Sequence, residues 1–155
     1  MILVSACLAG MKVRYDGRDN LVETLGRFIE EGRALPVCPE VLGGLSTPRE
    51  PAEIVGGTGE DVLDGHARII DRTGCDVTTE FVSGAYEALR VAREAKATVV
   101  VLKESSPSCG SSRIYDGTHS GHKIPGMGVT AALLQREGIR VFSENQLDEL
   151  FREFE

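Results

Sequence analysis

The sequence predicts an α/β protein in which a mostly parallel sheet is flanked by helices. Short apolar runs, typical of buried strands, alternate along the chain with longer segments whose apolar residues recur at helical spacing. The chain has 155 residues, which suits one compact domain spanning residues 1–155 with a sizeable hydrophobic core.

The first half of the chain contains two predicted strands, at residues 2–6 and 35–37, because both runs are short and apolar. A helix is predicted between them, with Asn20 as its N-cap and Gly32 at its end. The apolar face of this helix is formed by Leu21, Leu25, Phe28 and Ile29. A loop rich in glycine and proline follows the second strand. Residues 54–71 then predict an irregular hairpin, because short apolar segments flank glycine-containing turns.

The second half begins with the longest predicted helix. The apolar face of this helix is formed by Phe81, Ala85, Ala88, Leu89 and Ala92. Residues 99–102 are consecutively apolar, which suits a central parallel strand. A Gly- and Ser-rich loop is predicted from residue 105 to about 126, followed by a helix and a fourth strand at residues 139–142. Ser143 and Gln146 predict the start of a final helix, which completes a Rossmann-like or flavodoxin-like layering.

Composition and charge indicate which classes of binding partner the protein lacks. The formal net charge is -7, and the basic residues are scattered, which argues against nucleic-acid binding through phosphates. The N-terminus lacks the basic flank and cleavage site of a signal peptide, and no apolar stretch approaches the roughly 20 residues of a membrane span. We therefore expect a cytoplasmic protein without structural disulfides, whose partner is neither nucleic acid nor a membrane.

Three of the four cysteines follow predicted strands. Cys7, Cys38 and Cys109 each come just after an apolar run, and ligands of open α/β sheets bind at the carboxyl ends of the strands. Three thiols from distant parts of the chain can therefore meet at one point, which favours a metal or cluster site. The alternative is that each cysteine is a small buried hydrophobic residue, and this is the favoured interpretation for Cys75, which precedes a helix.

Polar residues accompany these cysteines. Glu40 lies two residues after Cys38, where it can act as a proton donor or acceptor, or simply as a solvated carboxylate. The loop around Cys109 is rich in serine and glycine and includes Ser106 and Ser108. Such a loop can form an anion-binding nest, donate hydrogen bonds to cluster sulfurs, or be a flexible surface segment.

Several short motifs are distributed over essentially the whole chain. They are Val4-Ser5-Ala6-Cys7-Leu8, Arg14-Tyr15-Asp16-Gly17, the segment 36–45, Pro48-Arg49, Gly74-Cys75-Asp76-Val77-Thr78, Ser106-Pro107-Ser108-Cys109-Gly110 and Gly126-Met127-Gly128-Val129-Thr130. As a combination the motifs are specific, and over essentially the whole chain they resemble the DUF523 family, which includes the thiouracil desulfidases.

The resemblance implies that Cys7, Cys38 and Cys109 bind a [4Fe-4S] cluster that is easily lost in air, leaving one iron without a protein ligand. It also implies non-redox desulfuration of a thiolated pyrimidine or a related thiocarbonyl compound. In that reaction the sulfur binds the open iron, water attacks the carbon, and sulfide is released. Glu40 would transfer protons, and Ser106 and Ser108 would orient the substrate or water.

The residues themselves leave two alternatives open. The same cysteines can serve a zinc or redox thiol protein, although zinc needs a fourth ligand, for which His119 and His122 are the candidates. The Ser- and Gly-rich loop can instead belong to a non-catalytic module that binds a small molecule or an anion.

Overall fold

The structure, a computed structural model, describes residues 1–10, 15–16 and 22–154. The predicted N-cap Asn20, the apolar Leu21, and the motif residues Arg14 and Gly17 lie outside the described residues. The described strands are β1 (Ile2–Ser5), β2 (Ala34–Val37), β3 (Ala52–Val55), β4 (Arg68–Asp71), β5 (Val99–Leu102), β6 (Arg113–Tyr115), β7 (Lys123–Pro125) and β8 (Arg140–Ser143). The described α-helices are α1 (Glu23–Glu30), α2 (Pro39–Leu42), α3 (Gly59–Leu63), α4 (Thr78–Glu94), α5 (Val129–Arg136) and α6 (Leu147–Phe154).

Four strands form a parallel sheet in the order β2-β1-β5-β8, which confirms the predicted α/β class. The chain passes from β1 to β2 on one side and later returns as β5 on the other side of β1. The boundary between β1 and β5 is therefore a topological switch point, where open α/β sheets form their ligand crevice.

Helices cover both faces of this sheet because its strands are apolar on both sides. One face packs against α4 and α5 through side chains that include Leu3, Val100 and Leu102. The other face packs against α1 and α6 through side chains that include Ile2, Val4, Val99 and Val101. The alternation along β1 and β5 follows the period of two that a strand imposes, so each strand contributes to both layers of the core. None of the described helices is long and apolar enough to span a membrane.

Two irregular segments differ from their predictions. The predicted hairpin at residues 54–71 is present as antiparallel β3 and β4, but α3 is inserted between its strands. The Asp61 carboxylate accepts a hydrogen bond from the Thr58 N–H at 2.8 Å, a capping arrangement that begins this helix. The predicted loop at residues 105–126 contains a second antiparallel hairpin, β6 and β7. Its strands are only three residues long and partly polar, so they lack the apolar alternation that marks a strand.

Helix α4 positions the segment that follows β2. A Cβ atom added to Gly84 of α4 would overlap the carbonyl oxygen of Pro39, and one added to Gly43 would overlap the carbonyl oxygen of Glu80. The two backbones therefore meet in direct contact, which only glycine allows. This contact fixes Pro39, the residue between Cys38 and Glu40.

We expect Gly84→Ala to destabilise the protein by about 1–3 kcal/mol, because the new methyl group must push α2 away from α4. Chemical denaturation would measure the free energy of unfolding. Ser83→Ala is a matched control, because Ser83 is the exposed neighbour on the same helix. An equal stability for the two variants would contradict the proposed backbone contact.

Candidate functional site

A cavity of about 360 Å³ opens at the carboxyl ends of the sheet strands. The residues that line it include Cys7, Cys38 and Cys109 together with Glu40 and Ser106. The three cysteines follow β1, β2 and β5. The structure thus brings together, at the topological switch point, residues that are far apart in the sequence.

Each cysteine is held by a different local structure. Cys7 lies in a single 3₁₀ turn that continues β1, and Cys38 precedes α2, its carbonyl accepting the Leu42 N–H at 2.9 Å. The loop of Cys109 is bound by the first turn of α5, where backbone N–H groups have no partner within the helix. The N–H groups of residues 128, 129 and 130 donate to the carbonyl oxygens of residues 110, 107 and 108 at 2.7, 2.8 and 2.8 Å.

Burial raises the pKa of two of these thiols, those of Cys38 and Cys109. Burial raises the pKa of the Cys109 thiol, and the negative charges of Glu40 and Cys38 raise it further. Burial also raises the pKa of Cys38, against the lowering effect of a hydrogen bond from the Val41 backbone. The carboxylate of Glu40 is close enough to influence both thiols, so the acid and the sulfur ligands share one electrostatic environment.

Glu40 is the centre of a directed hydrogen-bond chain. Its Oε2 accepts from Arg49, from Nε at 2.9 Å and from Nη2. Its Oε1 accepts from the Ser106 hydroxyl at 3.5 Å. Ser106 Oγ in turn accepts the N–H groups of Ser108 and Cys109, both at 2.9 Å. Since two donors already point at that oxygen, its own hydrogen is left to point at Glu40.

Ser108 occupies a different environment from Ser106. It is fully buried, and its hydroxyl pairs with that of Thr130 on α5 at 2.7 Å. A hydrogen bond from Ser108 also counteracts the burial that raises the pKa of Cys109. This geometry supports contact with the cysteine, whereas Ser106 is the serine that borders the cavity beside Glu40.

Glu104 organises the serine-rich loop and was not identified from the sequence. Its carboxylate accepts backbone N–H groups from Ser105, Ser111, Ser112 and Arg113 at 2.9–3.2 Å, and the hydroxyls of Ser111 and Ser112 at 2.9 and 3.0 Å. Burial alone would raise the pKa of Glu104, but these hydrogen bonds outweigh it and lower the pKa to about 2. The signal that could have revealed it is an acid two residues after a buried strand, ahead of small polar residues.

We expect Glu104→Gln to lower the free energy of unfolding near pH 7 by about 1–3 kcal/mol, because an amide leaves some of the loop donors without an acceptor. The pKa of Glu104 falls from an ordinary 4.5 to about 2 on folding, so its stabilising effect is present above pH 4.5 and is lost as the pH falls towards 2. Denaturation across this range should give a shallower acid dependence in the variant. Glu94→Gln, which alters an exposed pair with Arg90, is the control, and an identical effect from both variants would contradict this role.

The remaining candidates lie in other surroundings. His119 Nδ1 faces Glu53 Oε2 at 3.4 Å, and His122 Nδ1 contacts the Ser120 hydroxyl at 3.1 Å. Cys75 is exposed beside Thr73. Within the described part of the chain, no group of three His, Cys, Asp or Glu side chains is placed to hold a single metal ion. The thiolates of an iron–sulfur cluster bind different irons, so a cluster requires no such convergence on one ion.

The fold and the site define a class: an α/β protein with three thiols and a carboxylate in a cavity at the switch point of its parallel sheet. The model of the 2-thiouracil desulfurase family matches residues 2–146, and the chain belongs to that family. The chain is 55% identical over 150 residues to the uncharacterized protein YbbK of Bacillus subtilis (strain 168), covering 97% of this chain and 99% of the relative.

A solved structure, the [4Fe-4S]-dependent thiouracil desulfidase TudS (DUF523Vcz), is 48% identical to this chain. The two superpose with a TM-score of 0.87, covering 99% of this chain and 96% of that one. The family expected from the short motifs is therefore confirmed.

Proposed function

We propose that the protein is a [4Fe-4S]-dependent desulfidase that removes sulfur, without net redox change, from thiouracil or a related thiocarbonyl compound and releases it as sulfide. The observation that carries this proposal is the meeting of Cys7, Cys38 and Cys109 with Glu40 in one cavity. The family and the similarity to TudS support the same activity over the zinc, redox and non-catalytic alternatives.

The donor set fits a [4Fe-4S] cluster. Buried thiols with raised pKa values stay protonated when they are alone, and they become thiolate ligands when cationic iron balances their charge. Three cysteines would ligate three of the four irons. The bound cluster would supply Lewis-acid activation of the thiocarbonyl sulfur at the iron that lacks a protein ligand.

Glu40 would perform the proton transfers, and Ser106 would have an orienting role beside it. Ser106 orients its hydroxyl towards Glu40 Oε1, because its oxygen is already occupied by two backbone N–H groups. Oε1 would accept the proton of the attacking water and return it to the departing sulfur. The 3.5 Å separation between Ser106 Oγ and Oε1 is long for a hydrogen bond, and catalytic hydrogen bonds commonly shorten when substrate binds. Ser108 would act indirectly, by orienting Cys109.

We also propose a cytoplasmic location and a small-molecule substrate. A reducing compartment keeps thiols available as cluster ligands, and a cavity of about 360 Å³ suits a single heterocyclic ring with water beside it.

The first experiment is purification without oxygen, followed by measurement of iron and acid-labile sulfide. About four of each per chain is the expected result. The loaded protein is then incubated with 2-thiouracil and 4-thiouracil, and the released sulfide is measured. Protein that binds no iron even after anaerobic reconstitution would overturn the proposal, as would a loaded protein that releases no sulfide from any thiocarbonyl substrate.

A further inference from the structure

The guanidinium of Arg49 forms a buried ion pair with Glu40 at the wall of the cavity. Only 9% of the Arg49 side chain and 15% of the Glu40 side chain are exposed. Removing two charges from water is expensive, so a pair of this kind adds little net stability compared with apolar residues of similar size. The burial of this pair beside the sulfur ligands therefore suggests a role in the chemistry of the site.

The geometry points to Arg49 as a positioning residue, which fixes Glu40 so that only its Oε1 atom is available for proton transfer. This inference rests on the proposed desulfidase function. Nε and Nη2 of Arg49 both donate to Oε2. The planar guanidinium group holds these two donors in a fixed arrangement, and Oε2 is therefore occupied from one side. Oε1, which faces Ser106, is the oxygen left for a water molecule or a substrate.

Arg49 is itself held in place by its own loop. Its Nη1 donates to the carbonyl oxygen of Ser46 and to Oγ1 of Thr47, both at 3.1 Å. Its backbone N–H donates to the carbonyl oxygen of Tyr15 at 2.6 Å. Each of the three guanidinium nitrogens thus donates to a protein acceptor, and we therefore expect the side chain to act through Glu40 rather than by contact with the substrate. Its loss should therefore lower kcat and leave KM nearly unchanged.

The planar guanidinium group of Arg49 distinguishes this role from that of a simple positive charge. Lysine carries the same charge, but its single ammonium nitrogen cannot replace two fixed donors on Oε2 of Glu40 while also binding the Ser46–Thr47 segment. A displacement of about 1 Å in a catalytic group can lower the rate about 100-fold. We expect this loss for Arg49→Ala and a smaller loss for Arg49→Lys.

The test compares cluster-loaded wild type, Arg49→Ala and Arg49→Lys, with iron content measured in each. The expected result is a wild-type iron content, a kcat for Arg49→Ala lowered about 100-fold and a KM within about threefold of the wild-type value. Added guanidinium ion should restore at least part of the kcat of Arg49→Ala. Arg68→Ala is the matched control, because Arg68 Nε and Nη2 bind one carboxylate oxygen of Asp76 in the same way on the surface.

A rise in KM alone would overturn the proposal, because Arg49 would then contact the substrate. Loss of iron from both variants would also overturn it, because the role would be structural. If Arg49→Ala does not fold, a wild-type kcat in Arg49→Lys would overturn the proposal. A crystal structure of either variant supplies a readout independent of activity: Glu40 should leave Ser106, and an unchanged Glu40 would refute the inference. Wild-type protein that binds the cluster but releases no sulfide would refute the proposed function. The crystal structures of the variants would still test whether Arg49 positions Glu40.

Discussion

Replacing Cys109 with alanine is expected to remove the cluster and the desulfidase activity together. Cys109 is buried at the cavity, and its loss would leave two cysteines to hold the cluster. Iron and acid-labile sulfide should fall to background after anaerobic reconstitution, and sulfide release from thiouracil should fall below detection. The fold itself should survive, because alanine replaces a side chain of nearly the same size.

Cys75→Ala provides the matched control for this experiment. Cys75 is exposed beside Thr73, so the variant has the same loss of one thiol without any change at the cavity. It should retain iron, sulfide and turnover at wild-type levels. A Cys109→Ala protein with about four irons per chain and full activity would contradict the assignment of Cys109 as a ligand.

Replacing Glu40 with glutamine is expected to separate cluster binding from catalysis. The amide has the same shape but cannot take up a proton, so the cluster content should match that of wild type while kcat falls by about 10²–10⁴-fold. Steady-state sulfide release, normalised to bound iron, gives this comparison directly.

The control for Glu40→Gln is Glu87→Gln on α4. Glu87 pairs with Arg90 at the surface, at 2.9 Å, and the variant makes the same chemical change away from the cavity. Its turnover should equal that of wild type. A normal rate for Glu40→Gln would remove Glu40 from the mechanism, and loss of iron from that variant would indicate a role in cluster binding instead.

The elements that were predicted correctly are those in which local sequence and tertiary environment agree. Strand β5 is apolar at every position, and the long face of α4 repeats at helical spacing, so burial simply reinforces the local pattern. Ser143 and Gln146 exchange hydrogen bonds at the predicted start of the last helical segment, although this start is a 3₁₀ turn before α6. The hairpin of β6 and β7 had no such pattern, because its short strands depend on a single antiparallel pairing.

The residues of the site likewise include some that the sequence predicts and some that it does not. Cys7, Cys38 and Glu40 could be identified because each lies next to the end of an apolar run, and Cys109 because it lies in the loop that follows another such run. Glu104 was missed because its role depends on donors that lie up to nine residues further along the chain. The pair of Arg49 and Glu40 was missed because it joins an irregular loop to α2, and side-chain contacts of this kind leave no periodic pattern in the sequence.

The α/β class, the positions of the four strands of the parallel sheet and the family could all be predicted from the sequence, because apolar periodicity and short motifs are local properties of the chain. The strand order β2-β1-β5-β8, the grouping of the three cysteines at one cavity and the hydrogen bonds of Glu40 and Ser106 could be seen only in the folded chain. All three depend on contacts between residues far apart in the chain, whose energies are set by packing and by which donors remain unpaired. That physical difference explains why Ser106 borders the cavity while Ser108, two positions later, is buried against Thr130.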